Sequence, residues 1–180
     1  MANRYKKLQP KLKPLPFIIM GVIIVLFVVF LIIMTPTAKQ RIANDYNARG
    51  AEIPKDHVFV EISYKEYEKK RDNKENFVLY IGALDCQSCI TEIKYYDMYF
   101  KSEGLEDSLK NVYYINSKKL SEKQIETLQT LIQKEFATPQ LMYFHQGSML
   151  YTKSDLKYTE QTDKIPGQVQ LFYKDVLEKQ

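Results

Sequence analysis

Eighteen consecutive residues, Phe17 to Met34, carry no charge and are mostly Ile, Val, Phe and Leu. The rest of the chain offers no second apolar face large enough to cover such a segment, so a buried core helix is disfavoured. As a helix it would extend roughly 27 Å, close to the roughly 30 Å hydrocarbon core of a bilayer. Pro14 and Pro16 stand just before it and Pro36 just after, residues unwelcome inside a helix, so the run is well delimited. It reads as a single-pass anchor rather than a cleaved leader. The run is long, and Pro36 crowds Ala38, the one small-residue cleavage candidate. No cysteine near its end offers a lipid attachment point.

The net charge of +4 is unevenly placed. Residues 1–34 hold Arg4, Lys6, Lys7, Lys11 and Lys13 and no acid, while the remainder is close to neutral. A nucleic-acid-binding body is therefore disfavoured, since phosphate recognition needs a basic folded surface. Basic residues before the span place residues 1–16 in the cytosol as a basic tail and everything after the span outside, in a compartment that permits disulfides. One span makes transport by this chain alone implausible. The expected plan is a tail (1–16), an anchor (17–34), a polar stalk (35–56) and one domain (57–180).

Within that outer part, Thr37 to Gly50 is polar and reads as a helical stalk, with Ile42 and Tyr46 as its main large side chains. His57 to Ile62 alternates as a short strand. Ser63 with Glu66 has capping-box spacing and opens a charged helix to about Asn73, read as a solvated face. Phe77 to Ile81 is an apolar strand ended by Gly82. A helix is expected over 86–101, a strand over 111–115, and a helix from Ser121, capped with Gln124, to about Phe136. Gln140–His145 and Ser148–Tyr151 form a hairpin around Gly147. Pro166 suits the first turn of a last helix running to Leu177. Strands and helices in this order make a mixed α/β layer fold with helices on a central sheet.

The segment with evident chemistry is Cys86-Gln87-Ser88-Cys89, directly after an apolar strand and opening a helix. At a helix N-terminus the free backbone N–H groups and the dipole favour a thiolate at Cys86. Cys89, one turn on, is near enough to close a disulfide with it. A thiolate at Cys86 can attack a substrate disulfide and Cys89 can resolve the product. A purely structural bridge is weaker as an explanation, because so short a loop removes little unfolded-chain entropy. Zinc normally wants four ligands, and the chain offers two cysteines and two histidines, His57 and His145, neither at ligand spacing.

The strand–Cys86-x-x-Cys89–helix unit, the element order, and Thr138-Pro139 opening a late strand together resemble the thioredoxin superfamily over about residues 57–180. The resemblance implies a thioredoxin-like three-layer fold with a mixed central sheet, preceded here by one N-terminal transmembrane helix. It implies a cis Thr138–Pro139 bond beside the cysteines, with Thr138 and Pro139 forming the substrate-side wall. It also implies thiol–disulfide oxidoreductase activity that needs no cofactor. Tyr80-Ile81-Gly82 leading into the pair, on a small anchored protein, resembles the bacteriocin transport accessory group of Gram-positive bacteria. That resemblance implies exported peptides or proteins as substrates, with a membrane redox partner or an exporter nearby.

The sequence also departs from that pattern. Leu84 and Asp85 precede Cys86 where thioredoxin has a tryptophan, and Tyr80 stands where it has a buried acid. Asp85, Gln87 and Ser88 are thus the candidate tuning residues. Asp85 opposes a Cys86 thiolate while the helix terminus favours it. No Lys or Arg lies between Asn76 and Thr91, so any cation must come from another segment, with Lys55 and Lys153 as candidates. These departures also leave room for a redox-inert thioredoxin-fold adaptor that holds an exporter or secreted peptide at the membrane.

Overall fold

The computed structural model describes residues 15–160 and 162–180; the expected basic tail, up to residue 14, lies outside them. The chain divides between Pro36 and Thr37 into two units. The first contains α1 (Leu15–Met34), whose apolar side chains from Phe17 onward are exposed. Among the described residues it is the one helix long and apolar enough to cross a membrane. It takes Pro16 into its first turn, where a missing N–H removes no helical bond.

The second unit opens with α2 (Ala38–Asn47), started by a capping box between Thr37 and Gln40. Residues 35–56 are not the separate stalk their polarity suggested. Ile42, Ala43 and Tyr46 share one side of α2 and are buried, as are Ala51 and Ile53. The Tyr46 hydroxyl lies 3.2 Å from that of Tyr80 and donates to that of Tyr114 at 3.4 Å. Asn47 accepts from the Ile53 N–H at 2.7 Å and donates to its carbonyl at 2.8 Å, pinning the loop after α2. The compact body therefore begins at Thr37 rather than at residue 57.

Beyond α2 follow β1 (Phe59–Glu61), α3 (Tyr64–Asp72), β2 (Phe77–Gly82), α4 (Gln87–Ser102), α5 (Leu105–Leu109), β3 (Val112–Asn116), α6 (Glu122–Ile132), β4 (Gln140–His145), β5 (Ser148–Thr152) and α7 (Ile165–Glu178). The five strands lie in the order β1-β3-β2-β4-β5. β1, β3 and β2 are parallel; β4 runs antiparallel to β2, and β5 antiparallel to β4. Period-two alternation sorts the sheet's side chains. Val78, Tyr80, Val112, Tyr114, Leu141 and Tyr143 face a core shared with α2, α4, α5 and α7. Phe77, Leu79, Ile81, Ile115, Met142 and Phe144 face a second core under α3 and α6. This is the expected three-layer mixed α/β architecture, with helices on both faces of a mixed central sheet.

Several local expectations shift. β1 is three residues long, and α5 is an additional turn of helix. α6 stops at Ile132, where Gln133 turns left-handed at φ 53°, so Phe136 sits in a loop. The charged face of α3 is only partly solvated. Lys70 pairs with Glu75 at 2.9 Å and lies 3.9 Å over the Tyr113 ring, and Arg71 donates to the Gly147 carbonyl. Gly147 adopts φ +75° against the Arg71 carbonyl, leaving no room for a Cβ.

His57 ties α2 to β1. Its Nδ1 accepts from the Phe59 N–H at 3.1 Å, so Nε2 carries the proton it gives to the Lys39 carbonyl at 2.9 Å. Burial holds the imidazole below its ordinary value, against the Lys39 hydrogen bond and the Asp97 carboxylate; the Lys39 and Lys101 cations reinforce the burial. Because the folded state binds this proton less readily, the stabilisation is full above the unfolded value of about 6.5 and is lost as pH falls through the lower folded value. Urea midpoints should therefore fall between about pH 7 and pH 5, with a smaller fall in His57→Gln. Equal slopes in both proteins would refute this role.

Candidate functional site

Antiparallel pairing of Ile81 with Gln140 sets the site. The residues after β2 and those before β4 must then lie side by side, so Cys86 and Thr138 meet although 52 positions apart. β2 runs to Gly82, over which the Tyr80 ring folds, so that a Cβ there would run into the phenol oxygen. Ala83, Leu84 and Asp85 then lead to Cys86, the N-cap of α4.

Cys86 and Cys89 form a disulfide with Cα atoms 5.2 Å apart. The Cys86 sulfur accepts from the Cys89 N–H at 3.1 Å, so a free helix-start amide is aimed at the sulfur that would carry negative charge. Cys86 is half-buried, and Cys89 is fully buried. Of the two sulfurs, that of Cys86 is therefore the one on the solvent side. The Thr138–Pro139 bond is cis, and the Thr138 carbonyl oxygen lies 3.5 Å from the Cys86 sulfur. The expected pair and the expected wall are thus brought together. Gln87 and Ser88 are exposed in the first turn of α4, and among the described residues neither side chain has a hydrogen-bond partner.

The structure brings Lys118 to the rim of the pair, while Lys153 is held by Glu92. Lys118, in the short 3-10 turn after β3, pairs with Asp85 at 2.8 Å and with its hydrogen bond holds that carboxyl below the usual carboxylate range. Both side chains are about two-thirds exposed, so their effect on Cys86 is screened. Asp85→Asn should leave the Lys118 charge unopposed and raise the alkylation rate of reduced Cys86 near neutral pH by about two- to threefold, the gain shrinking at about 1 M salt. An unchanged or slower rate would remove Asp85 as a tuning residue.

Below the cysteines the sequence reading missed two features. Tyr46, Tyr80 and Tyr114 join their hydroxyls in the core, and burial raises all three phenols far above their ordinary range, so they stay neutral. Glu92, three residues after Cys89 on the inward face of α4, is buried and paired with Lys153, which follows β5; it also accepts from the Tyr96 hydroxyl. An acid among Cys89, Ile93 and Tyr96 at helical spacing was the signal for it.

Beside Cys86 lies a cavity of about 440 Å³ between α6, the turn at Ser117–Lys118 and the segment 136–138. The arrangement offers one accessible sulfur, one shielded sulfur, an amide donor and an open groove. No protein-family model and no curated protein matches the chain. Among solved structures, it is similar to a chain described as having a thioredoxin fold, with an oxidoreductase assignment that is itself provisional. The identity is 14% and the TM-score 0.43, over 53% of this chain and 80% of that one.

Proposed function

We propose that this protein is a membrane-anchored thiol–disulfide oxidoreductase that acts outside the cytosol on exported peptides or proteins. The observation that carries it is the asymmetry of the pair: a half-exposed Cys86 sulfur facing a helix-start amide and the Thr138 carbonyl, with Cys89 shielded behind it. In the reduced protein, the Cys86 thiolate attacks a substrate disulfide. A new sulfur–sulfur bond forms to Cys86 and the substrate's second sulfur leaves as a thiolate with the electron pair. Cys89, deprotonated, then attacks the Cys86 sulfur, expels the remaining substrate thiolate and closes the protein disulfide. The substrate is reduced and the protein oxidised; run backwards, the same steps oxidise a substrate dithiol. Ala137 and Thr138, next to Cys86 and outside the sheet ladder, provide backbone for an extended peptide to lie against.

The exposed apolar α1 and the basic residues before it support the outward orientation. Exported peptides are the substrate class implied by the resemblance to the bacteriocin transport accessory group, and a membrane redox partner or exporter would complete the cycle. Single-turnover reaction of the reduced Cys89→Ala protein with a disulfide peptide should trap a mixed disulfide through Cys86, identified by mass. Trapping elsewhere, or none, would refute the assignment.

A further inference from the structure

Granted the oxidoreductase reading, the groove beside Cys86 constrains which peptides it accepts. Ile125 of α6 and Phe136 are both only half-buried and line the cavity together with Ala83 and the Cys86 sulfur itself. The charged residues on its lining, Asp85 and Lys118, are paired with each other. The groove thus presents apolar surface beside the uncharged Ser117 and Thr138 and carries no net charge, so a charged side chain entering it would lose water without gaining a free ionic partner.

The reach of an extended peptide says which residue enters. Side chains alternate along an extended chain with a rise of about 3.3 Å per residue. When a substrate cysteine points down at Cys86, its immediate neighbours point away. The residue two positions along points the same way, about 6.6 Å from the cysteine. That distance carries it off the sulfur and onto the neighbouring groove, whose volume of about 440 Å³ holds a leucine or phenylalanine side chain.

We propose that the substrate is an extended, cysteine-bearing peptide with a large apolar side chain two positions from its reactive cysteine, seated on Ile125 and Phe136. These two residues are specificity determinants and do not touch the exchanging sulfurs.

The test uses the full-length reduced Cys89→Ala chain in detergent and short peptides whose single cysteine is activated as a thionitrobenzoate mixed disulfide. The Cys86 thiolate bonds to the peptide sulfur, and thionitrobenzoate, the more acidic thiol, leaves with the electron pair and is read by its absorbance. The peptides carry leucine two positions before the cysteine, two positions after it, or serine at both places. One leucine peptide should react about tenfold faster than the serine peptide, as expected for burying most of one such side chain. In Phe136→Ala and in Ile125→Gln that ratio should fall towards one, each variant being its own reference. Equal rates for all three peptides, or a ratio surviving in both variants, would overturn the subsite. Failure of Cys86 to react even with free dithiobisnitrobenzoate would overturn the oxidoreductase reading itself, whereas ready reaction without discrimination would overturn only the subsite.

Discussion

Glu92→Gln should lower the stability of the body by about 3–5 kcal/mol, the range for removing one partner of a buried ion pair. The Glu92 and Lys153 side chains are only 8% and 13% exposed, so solvent screens them little. Glutamine keeps the shape and can still accept from the Tyr96 hydroxyl, so the loss isolates the charge. The Lys153 ammonium, left behind, has no other carboxylate partner among the described residues. Lys153→Met should be similarly damaging. The double variant should lose clearly less than the sum, because neither charge is then stranded. Denaturant midpoints of the four proteins decide it, and a single-variant loss below about 1 kcal/mol would show the pair to be effectively solvated.

Tyr46→Ala should cost a similar amount, about 3–5 kcal/mol, since a fully buried aromatic ring is removed from between α2 and the sheet. Tyr46→Phe keeps the ring and removes only the hydroxyl that links Tyr80 and Tyr114. Its loss should be nearer 1 kcal/mol. The same packing predicts how the protein can be cut. A chain starting at Thr37 should unfold cooperatively and keep an exchange-competent cysteine pair. One starting at His57 lacks α2, exposing Phe59, Tyr80 and Tyr114 to water, and should be unfolded or aggregated. A cooperative transition at undiminished midpoint for that shorter chain would put α2 back in the role of a stalk.

The reason α2 was misread lies in its composition. Lys39, Gln40, Arg41, Asn44 and Asp45 make the segment polar on average. Burial is decided by the narrow stripe of Ile42, Ala43 and Tyr46, too short to raise any average yet wide enough to meet an uncovered patch of sheet. Glu92 is the converse case. Its spacing with Cys89, Ile93 and Tyr96 marks an inward position, but the lysine that makes its burial tolerable stands 61 positions away. Lys118 escaped for a related reason. Ion pairs between loops depend on which loops the sheet order brings together, and β3 lies beside β2 only through a crossover.

Local physics is written in the sequence itself. The uncharged run of α1, the capping boxes at Ser63 and Ser121, the alternating strands, and a cysteine pair at a helix start all rest on interactions within a few residues. From these alone follow the apolar helix, the mixed α/β class, and a disulfide between Cys86 and Cys89. Tertiary structure decided what those elements enclose. The antiparallel register of β2 with β4 set Thr138 against Cys86, and packing on the sheet made α2 part of the body. Helix, turn and loop together left the apolar groove beside the one reachable sulfur. Such contacts join residues tens of positions apart, and the free energy that selects them belongs to the assembled core rather than to any one segment.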